Sequence, residues 1–405
     1  MSILEINCCN QIGVYFKIAL IFFSFFENFL VLALKFISEW SKTHKIDYCK
    51  ASINHLKKMF SEGKKGSKIN SNMERLDFKE ALNLYKNADL FELGKLAHSF
   101  KERLHGKNYY YTINRHINYT NVCIMHCKFC AYHCSKDDER AYVLEIDDIL
   151  RKVKESPNLR EVHIVGGLNP DLPYDYYVEL ISAIRKNFPN LRIRGFTCVE
   201  VDFLSKISGK DVEEVLMDLK GAGLNALPGG GAEIFSDRLR EELYPAKIDH
   251  RRWLEIAKTA HRLGLRSNAT LLFGHLEREE EIIEHLIMLR AAQDETGGFE
   301  CFVPLPFLPE NTKLSHLQPV SAQKILRTFA ISRLVLDNFP HIKSYWVFLG
   351  VGLGQVALLF GADHFHGTVI EERISESHKR ELITNLPQEE IEKLIKEVGG
   401  KPVLV

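Results

Sequence analysis

From about residue 73 onward, apolar positions recur with two alternating periods. Short runs rich in β-branched and aromatic residues predict strands at Tyr109–Ile117, Val162–Val165, Leu191–Thr197, around Ala226, and at Asn268–Phe273, Phe299–Leu305, Lys343–Phe348 and His366–Val369. Between them lie stretches with helical spacing at Ile146–Lys154, Tyr174–Asn187, Asp211–Ala222, His250–Leu263, Glu279–Gln293 and Ser321–Asn338. In Glu279–Gln293 the apolar residues fall at Ile282, Ile283, Leu286, Ile287 and Leu289, one helix face rather than an alternation. Strand–helix–strand units repeating every ~30–40 residues imply parallel strands joined by right-handed crossovers. Eight such strands predict an α/β fold, a TIM-like (β/α) barrel with its helices outside. Chemistry in that architecture sits on the loops that follow the carboxyl ends of the strands.

The amino-terminal part reads differently. Residues 14–37 are apolar apart from Lys17, Ser24, Glu27, Asn28 and Lys35. Glu27 lies near the middle, and a central charge costs ~2.5–3.5 kcal/mol on insertion, so a stable membrane span is not expected. A cleaved signal fits poorly, because no positive charge precedes the apolar run. A surface contact through residues 14–37, with Cys8 and Cys9 as acylation sites, is the weaker alternative. The expected organisation is an apolar leader over 1–40, a Lys- and Ser-rich linker over 41–72, and a catalytic barrel with a helical carboxyl-terminal extension over 73–405.

Composition narrows the partners. The 405 residues carry 53 Lys plus Arg against 53 Asp plus Glu, a balance that argues against nucleic acid. Hydrophobic residues at 45% and charged residues at 26% exclude a disordered chain. Nine cysteines are too few for a disulfide scaffold in a chain of this length, and their clustering carries more information than their number. Cys123, Cys127, Cys130 and Cys134 fall within twelve residues, a metal-type spacing that implies a reducing compartment, the cytoplasm.

Cys123-x3-Cys127-x2-Cys130 follows the first predicted strand and puts three thiolates on one tight loop, a ligand set for three irons of a 4Fe–4S cube. Three other readings compete. A structural zinc site usually shows a second Cys pair, which is missing here. A closed ferredoxin-type cluster would recruit Cys134, but the spacing is wider than in bacterial ferredoxins and Ser135 stands where Pro is usual. Cys134 also reads as a small buried residue. His126 and His133 flank the loop and are expected to orient or screen the metal rather than bind it.

Further candidates sit at other predicted strand ends. Gly166-Gly167 closes one strand, and Pro228-Gly229-Gly230-Gly231 closes another, where backbone N–H groups can approach a ligand. A helix starting near Ala232 would place its amino end toward an anion. Glu200 is a candidate for ribose hydroxyls or an ordinary loop acid. Arg194 is the expected bidentate clamp for a substrate carboxylate, with Arg192 expected on the other face of its strand. Asn268 and His275 bracket the next strand, His275 as a proton shuttle or a structural histidine.

The CxxxCxxC loop with Phe129 before its last cysteine resembles the signature of the radical S-adenosylmethionine superfamily. The resemblance implies that Cys123, Cys127 and Cys130 hold a 4Fe–4S cluster whose open iron chelates S-adenosyl-L-methionine. Reductive cleavage would then release a 5′-deoxyadenosyl radical. It also implies cofactor contacts at Phe129, Gly166, Gly167, Glu200, Gly229, Gly230, Gly231 and Asn268. Where that superfamily has Gly-Gly-Glu, this chain has Leu168 in place of Glu. NRHINYTNVC, EVHIVGGLNPDLP, LPGGGAEIF, NATLLFGH and QDETGGFECFVPLPFLPENT further resemble the aminofutalosine synthase family of menaquinone biosynthesis, over roughly Leu76 to Val403.

That likeness implies addition of the adenosyl radical to the enol ether 3-[(1-carboxyvinyl)oxy]benzoate. The products would be 6-amino-6-deoxyfutalosine, methionine and bicarbonate, with Arg194, Glu200 and His275 as expected catalytic residues. Arg115 and His116 are further candidates for the substrate carboxylates. A low-potential donor such as flavodoxin or ferredoxin would supply the electron. Dehypoxanthine futalosine cyclases and deazaflavin-cofactor radical synthases carry similar segments and are the alternatives. A non-catalytic iron–sulfur electron carrier is the alternative of another class.

Overall fold

Seven strands form one parallel sheet in strict chain order: β2 (Asn114–Ile117), β3 (Glu161–Ile164), β4 (Arg192–Gly195), β5 (Ala226–Leu227), β6 (Arg266–Phe273), β7 (Phe299–Pro306) and β8 (His341–Ile342). A second sheet sets β1 (Asn108–Thr112) between β9 (His364–Gly367) and β10 (Lys401–Leu404). The structure is a computed structural model and describes residues 75–378 and 385–405. Parallel bridges at Lys343–His364 and Arg115–Ile370 carry the chain from β9 across both edges of the larger sheet, so the sheet curls toward a TIM-like barrel. The leader, the linker, Cys8 and Cys9 lie outside the described residues. Among the described residues, no helix is long and apolar enough to cross a membrane.

Local chemistry explains where the outer helices begin. Asp77, Asp89, Asp211 and Asp249 accept backbone N–H groups at the starts of Phe78–Asn87, Leu90–His105, Val212–Ala222 and His250–Arg262. Their apolar stripes face the sheet; Trp253, Ile256, Ala257 and Ala260 of His250–Arg262 are all buried. β3 is buried along its whole length and β6 over all but Arg266, as expected for strands covered on both faces.

Three differences between the periodic reading and the structure lie in the strands and at the carboxyl terminus. The predicted strand Tyr109–Ile117 is two strands in different sheets. The Ile113 carbonyl between them accepts from the Arg160 and Glu161 amides, and β1 leaves to pair with β9 and β10. Lys343–Phe348 is not a strand. β8 stops at Ile342, and Trp346–Leu349 is a helical turn whose indole N–H donates to the Gly367 carbonyl at 2.9 Å. Beyond the helix Gln388–Glu397, the carboxyl-terminal extension ends as a strand, β10, paired in parallel with β1 from Asn108–Lys401 onward.

Candidate active site

The loop after β2 is closed on itself by its own backbone. The Cys123 amide donates to the Cys134 carbonyl at 3.1 Å and the Cys134 amide to the Asn121 carbonyl at 3.0 Å, while the Cys130 amide donates to the Cys127 carbonyl at 3.1 Å. This clamp brings Cys123, Cys127 and Cys130 to the wall of a cavity of about 260 Å³ at the carboxyl end of the sheet. Cys134 is buried and does not line it. Burial pushes the Cys127 thiol up to about 12 and the Cys130 thiol upward as well. The protein alone therefore keeps these groups protonated, and binding iron would release their protons. Three cysteines on one loop that line the same cavity, with the fourth buried outside it, fit a three-ligand iron site.

Phe129 lines the same cavity, edge-on to Tyr244 at 5.6 Å between ring centres. The Lys247 ammonium sits 5.3 Å from the Phe129 ring centre and is ion-paired with Glu233. Lys247 is a site residue that the sequence reading missed, because it lies far from any motif. His133 also faces the cavity and bonds the Cys130 carbonyl at 2.9 Å, with His126 edge-on at 5.4 Å.

Gly166, Gly167 and Leu168 pass directly beneath the cysteine loop. A Cβ at Gly167 would lie 2.2 Å from the Val122 carbonyl oxygen and 3.0 Å from Cys123 Cβ, so only glycine lets the two loops meet. Glu200 faces the cavity, but its carboxylate is largely committed. Oε1 accepts from Tyr119 Oη at 2.8 Å and the Gly166 amide at 3.1 Å, and Oε2 accepts from the Thr197 amide at 2.7 Å. Its residual acceptor capacity is small. With Thr197 it forms the capping box of the helix Cys198–Ser208, a segment read as loop from the sequence.

The triple glycine splits between two cavities. Gly230 and Gly231 line the cysteine cavity, with Gly231 at φ +84°. Gly229 instead lies against β6, its carbonyl accepting from Thr270 Oγ1 at 2.9 Å. No helix starts near Ala232; the next one is the seven-residue Asp237–Leu243, capped by Ser236. The expected helix end at an anion is therefore withdrawn.

A second cavity of about 190 Å³ runs into the barrel lumen and shares Val165, Thr197, Gly230, Thr270, Leu305, Phe348 and Ile374 with the first. Its far side carries His116, His163, Asn268, Lys343, Tyr345 and His366. Asn268 thus belongs to the lumen rather than to the cysteine cavity, and its Oδ1 accepts from Arg194 at 3.3 Å.

Four expected residues are corrected. The Arg194 guanidinium donates to Glu161 at 3.2 Å and to Glu300 at 2.9 Å, and it lines a separate charged cavity at the amino ends of the strands. Two carboxylates already hold it, so it is not a free clamp. Arg192 reaches the same Glu161 and Glu300, because residues two apart on a strand share a face. His275 is sealed off from both cavities: its Nε2 bonds the Leu272 carbonyl at 3.1 Å and its Nδ1 accepts the Leu276 amide at 2.7 Å. Arg115 is bound to Ser156 and Glu371 away from the lumen.

Comparison with known proteins agrees with this arrangement. Residues 117–289 match the Radical SAM superfamily and residues 296–405 match the CofH/MqnC C-terminal region. The chain belongs to the radical SAM superfamily and is an enzyme of its futalosine-type branch. It is 41% identical to the aminodeoxyfutalosine synthase of Thermus thermophilus, over 82% of this chain and 90% of that one. It is 39% identical to a cyclic dehypoxanthine futalosine synthase of Streptomyces coelicolor, over 81% and 83%. It is 37% identical to a 5-amino-6-(D-ribitylamino)uracil–L-tyrosine 4-hydroxyphenyl transferase of Methanococcoides burtonii, over 77% and 89%. Methylornithine synthase shares the fold, with a TM-score of 0.64 at 18% identity over 85% of this chain and 96% of that one. The superfamily implies a 4Fe–4S cluster and S-adenosylmethionine as cofactors, a small-molecule substrate and an external reductant.

Proposed function

We propose that the chain is an aminodeoxyfutalosine synthase, joining the 5′-deoxyadenosyl group to 3-[(1-carboxyvinyl)oxy]benzoate and releasing methionine and bicarbonate. The observation that carries the reading is the continuity of the two cavities: the three-cysteine loop opens directly into a lumen with apolar walls and a basic floor. The 41% identity to the Thermus thermophilus enzyme supports the choice among related reactions.

Cys123, Cys127 and Cys130 would hold the cluster, and the cavity beside Gly166, Gly167, Gly230 and Gly231 would take S-adenosylmethionine. When bound, this pair supplies a 5′-deoxyadenosyl radical from one donated electron. The protein's task is then positional. Radical addition needs the vinyl carbon within ~3–3.5 Å of its partner, in an orientation fixed before the radical forms. Val303, Leu305, Phe348 and Ile374 line the lumen as an apolar sleeve for an aromatic ring and limit the water that could quench a radical. Lys247, ion-paired with Glu233, holds its ammonium against the Phe129 ring at the cavity wall.

The test is an anaerobic assay of the reconstituted enzyme with S-adenosylmethionine, dithionite and the enol ether, read by mass spectrometry. Stoichiometric aminodeoxyfutalosine and methionine are expected. Absence of that product, with turnover of dehypoxanthine futalosine or of tyrosine with the ribitylaminouracil instead, would overturn the assignment.

A further inference from the structure

The floor of the lumen holds polar groups that the fold leaves without partners. Lys343 is 5% exposed and lines the lumen, and its ammonium makes no hydrogen bond to another described residue. His366 is 3% exposed and its Nδ1 is buried without a partner. His116 stands beside them, its ring 5.7 Å from that of His366. An orphaned buried donor costs about 1–3 kcal/mol, so such groups are retained where a ligand completes them.

Asn114 determines what these rings can offer. Its Oδ1 accepts the Val369 amide at 3.1 Å, which fixes the amide with its Nδ2 toward the two imidazoles. That Nδ2 donates to His116 Nε2 at 3.2 Å and to His366 Nε2 at 3.5 Å. Both rings accept at Nε2, and when neutral each carries its proton at Nδ1. Burial holds both far below the ordinary histidine range, with Lys343 and neighbouring histidines adding to it, so the neutral form prevails. His163, the third ring of the group, is tied through Nε2 to Glu161. The floor therefore presents the Lys343 amine, whose burial moves its pKa below the ordinary lysine value, and the ring N–H groups of His116 and His366, with the buried Glu372 on the same lining. His366 also holds a left-handed backbone at φ +37°, an unfavourable conformation for a residue with a side chain.

We propose that Lys343, with the Nδ1–H groups of His116 and His366, forms a carboxylate seat at the floor of the lumen, matched to a planar aromatic acid. It rests on the synthase reading only for the identity of that acid, the benzoate end of the enol ether. A divalent cation is the competing occupant, since one nitrogen from each of His116, His163 and His366 lies within 4.8 Å of the others. The ammonium on the same floor and the protons held at Nδ1 oppose it. The apolar sleeve between the seat and the cysteine cavity fits a ring, and the two-cavity path places the far end of such a ligand beside Gly230. An extended molecule with an acid at its inner end and a reactive double bond at its outer end would span it.

The experiment is anaerobic titration calorimetry of the reconstituted enzyme, with S-adenosylmethionine present and no reductant. The two probes are 3-methoxybenzoate and its neutral isostere 3-methoxybenzamide. The acid should bind about tenfold or more tighter than the amide. Lys343→Met should erase that preference by weakening the acid about tenfold to a hundredfold while leaving the amide unchanged. Lys343→Arg should keep part of it. His366→Phe, which removes one donor, should weaken the acid by a smaller factor. Unchanged cluster absorption and melting temperature establish that each variant is folded. Equal binding of acid and amide by the unaltered enzyme, no binding of either, or undiminished acid binding by Lys343→Met would each overturn the seat. A stoichiometric divalent ion beyond the cluster iron, required for acid binding, would overturn it in favour of a metal. If the acid binds through Lys343 but the enol ether is not turned over, the seat stands and the synthase reading falls. Turnover by Lys343→Met with an unaltered KM would do the reverse.

Discussion

Cys123 and Cys134 are joined by their backbones and divided by their side chains. The Cys123 amide donates to the Cys134 carbonyl at 3.1 Å, yet only the Cys123 thiol reaches the cavity. The fourth cysteine of the cluster motif thus clasps the loop from behind. Cys134→Ala keeps the carbonyl and should retain the reconstituted cluster spectrum and S-adenosylmethionine cleavage. Ala at Cys123, Cys127 or Cys130 should abolish both. Equal loss of cluster at Cys134 and Cys127, read by iron content and absorption, would refute the three-ligand site.

Arg194 and Arg192 share two carboxylates but not an environment. Arg194 is 4% exposed between Glu161 and Glu300, whereas the Arg192 side chain is 42% exposed. Removing one partner of a buried pair costs about 3–5 kcal/mol, while an exposed pair contributes about 0–1 kcal/mol. Arg194→Ala should lower stability by an amount near the first range and Arg192→Ala by no more than the second. KM for substrate should be unaffected in whatever Arg194→Ala remains folded. A large KM increase with unchanged denaturant stability would restore Arg194 as a substrate clamp.

The sequence disclosed the barrel and the cysteine loop because both depend on short-range spacing. It failed where long-range pairing decides. Nothing local separates β1 from β2 across Ile113; the break exists because β9 and β10, more than 250 residues away, take up β1. Arg194 looked like an anion clamp because its carboxylate partners lie 33 and 106 residues away. The lumen floor draws His116, His163, Lys343 and His366 from four segments, and no spacing could unite them. One missed element was legible. Thr197-x-x-Glu200 is a capping box, and it announces the helix Cys198–Ser208 and Glu200's structural duty together.

Acid should loosen the wall of the site through His285. Its Nε2–H donates to the Thr270 carbonyl at 3.0 Å and its Nδ1 accepts the Phe235 amide at 3.1 Å, so a second proton has no place. Burial brings this histidine down to about 3, below the ordinary value near 6.5 of the unfolded chain. Between those values the unfolded state binds a proton that the native state refuses. Stability is therefore full above about pH 6.5 and falls as pH drops below it, by up to about 1.4 kcal/mol per pH unit from this group. Denaturant unfolding of the cluster-free protein from pH 7.5 to 5 should show that fall. His285→Gln should start from a lower stability and show a shallower slope; an unchanged slope would remove His285 as its source.

Gly167 and Gly230 both line the cysteine cavity, yet they should respond oppositely to a methyl group. At Gly230 a Cβ would meet only Thr197 Cγ2, at 3.3 Å, a contact that a few tenths of an ångström of adjustment relieves. At Gly167 it would press on the Val122 carbonyl oxygen and Cys123 Cβ, both part of the loop that carries the thiols. The backbone there has no rotamer to change, so the loop itself must move. Overpacking of this kind costs about 1–3 kcal/mol, and the displacement falls on Cys123 first. Gly167→Ala should therefore reconstitute with substoichiometric iron and lose S-adenosylmethionine cleavage, at a melting temperature only modestly reduced. Gly230→Ala should bind a full complement of iron. A Gly167→Ala enzyme with full iron content and normal cleavage would show that the two loops do not meet as closely as this packing requires.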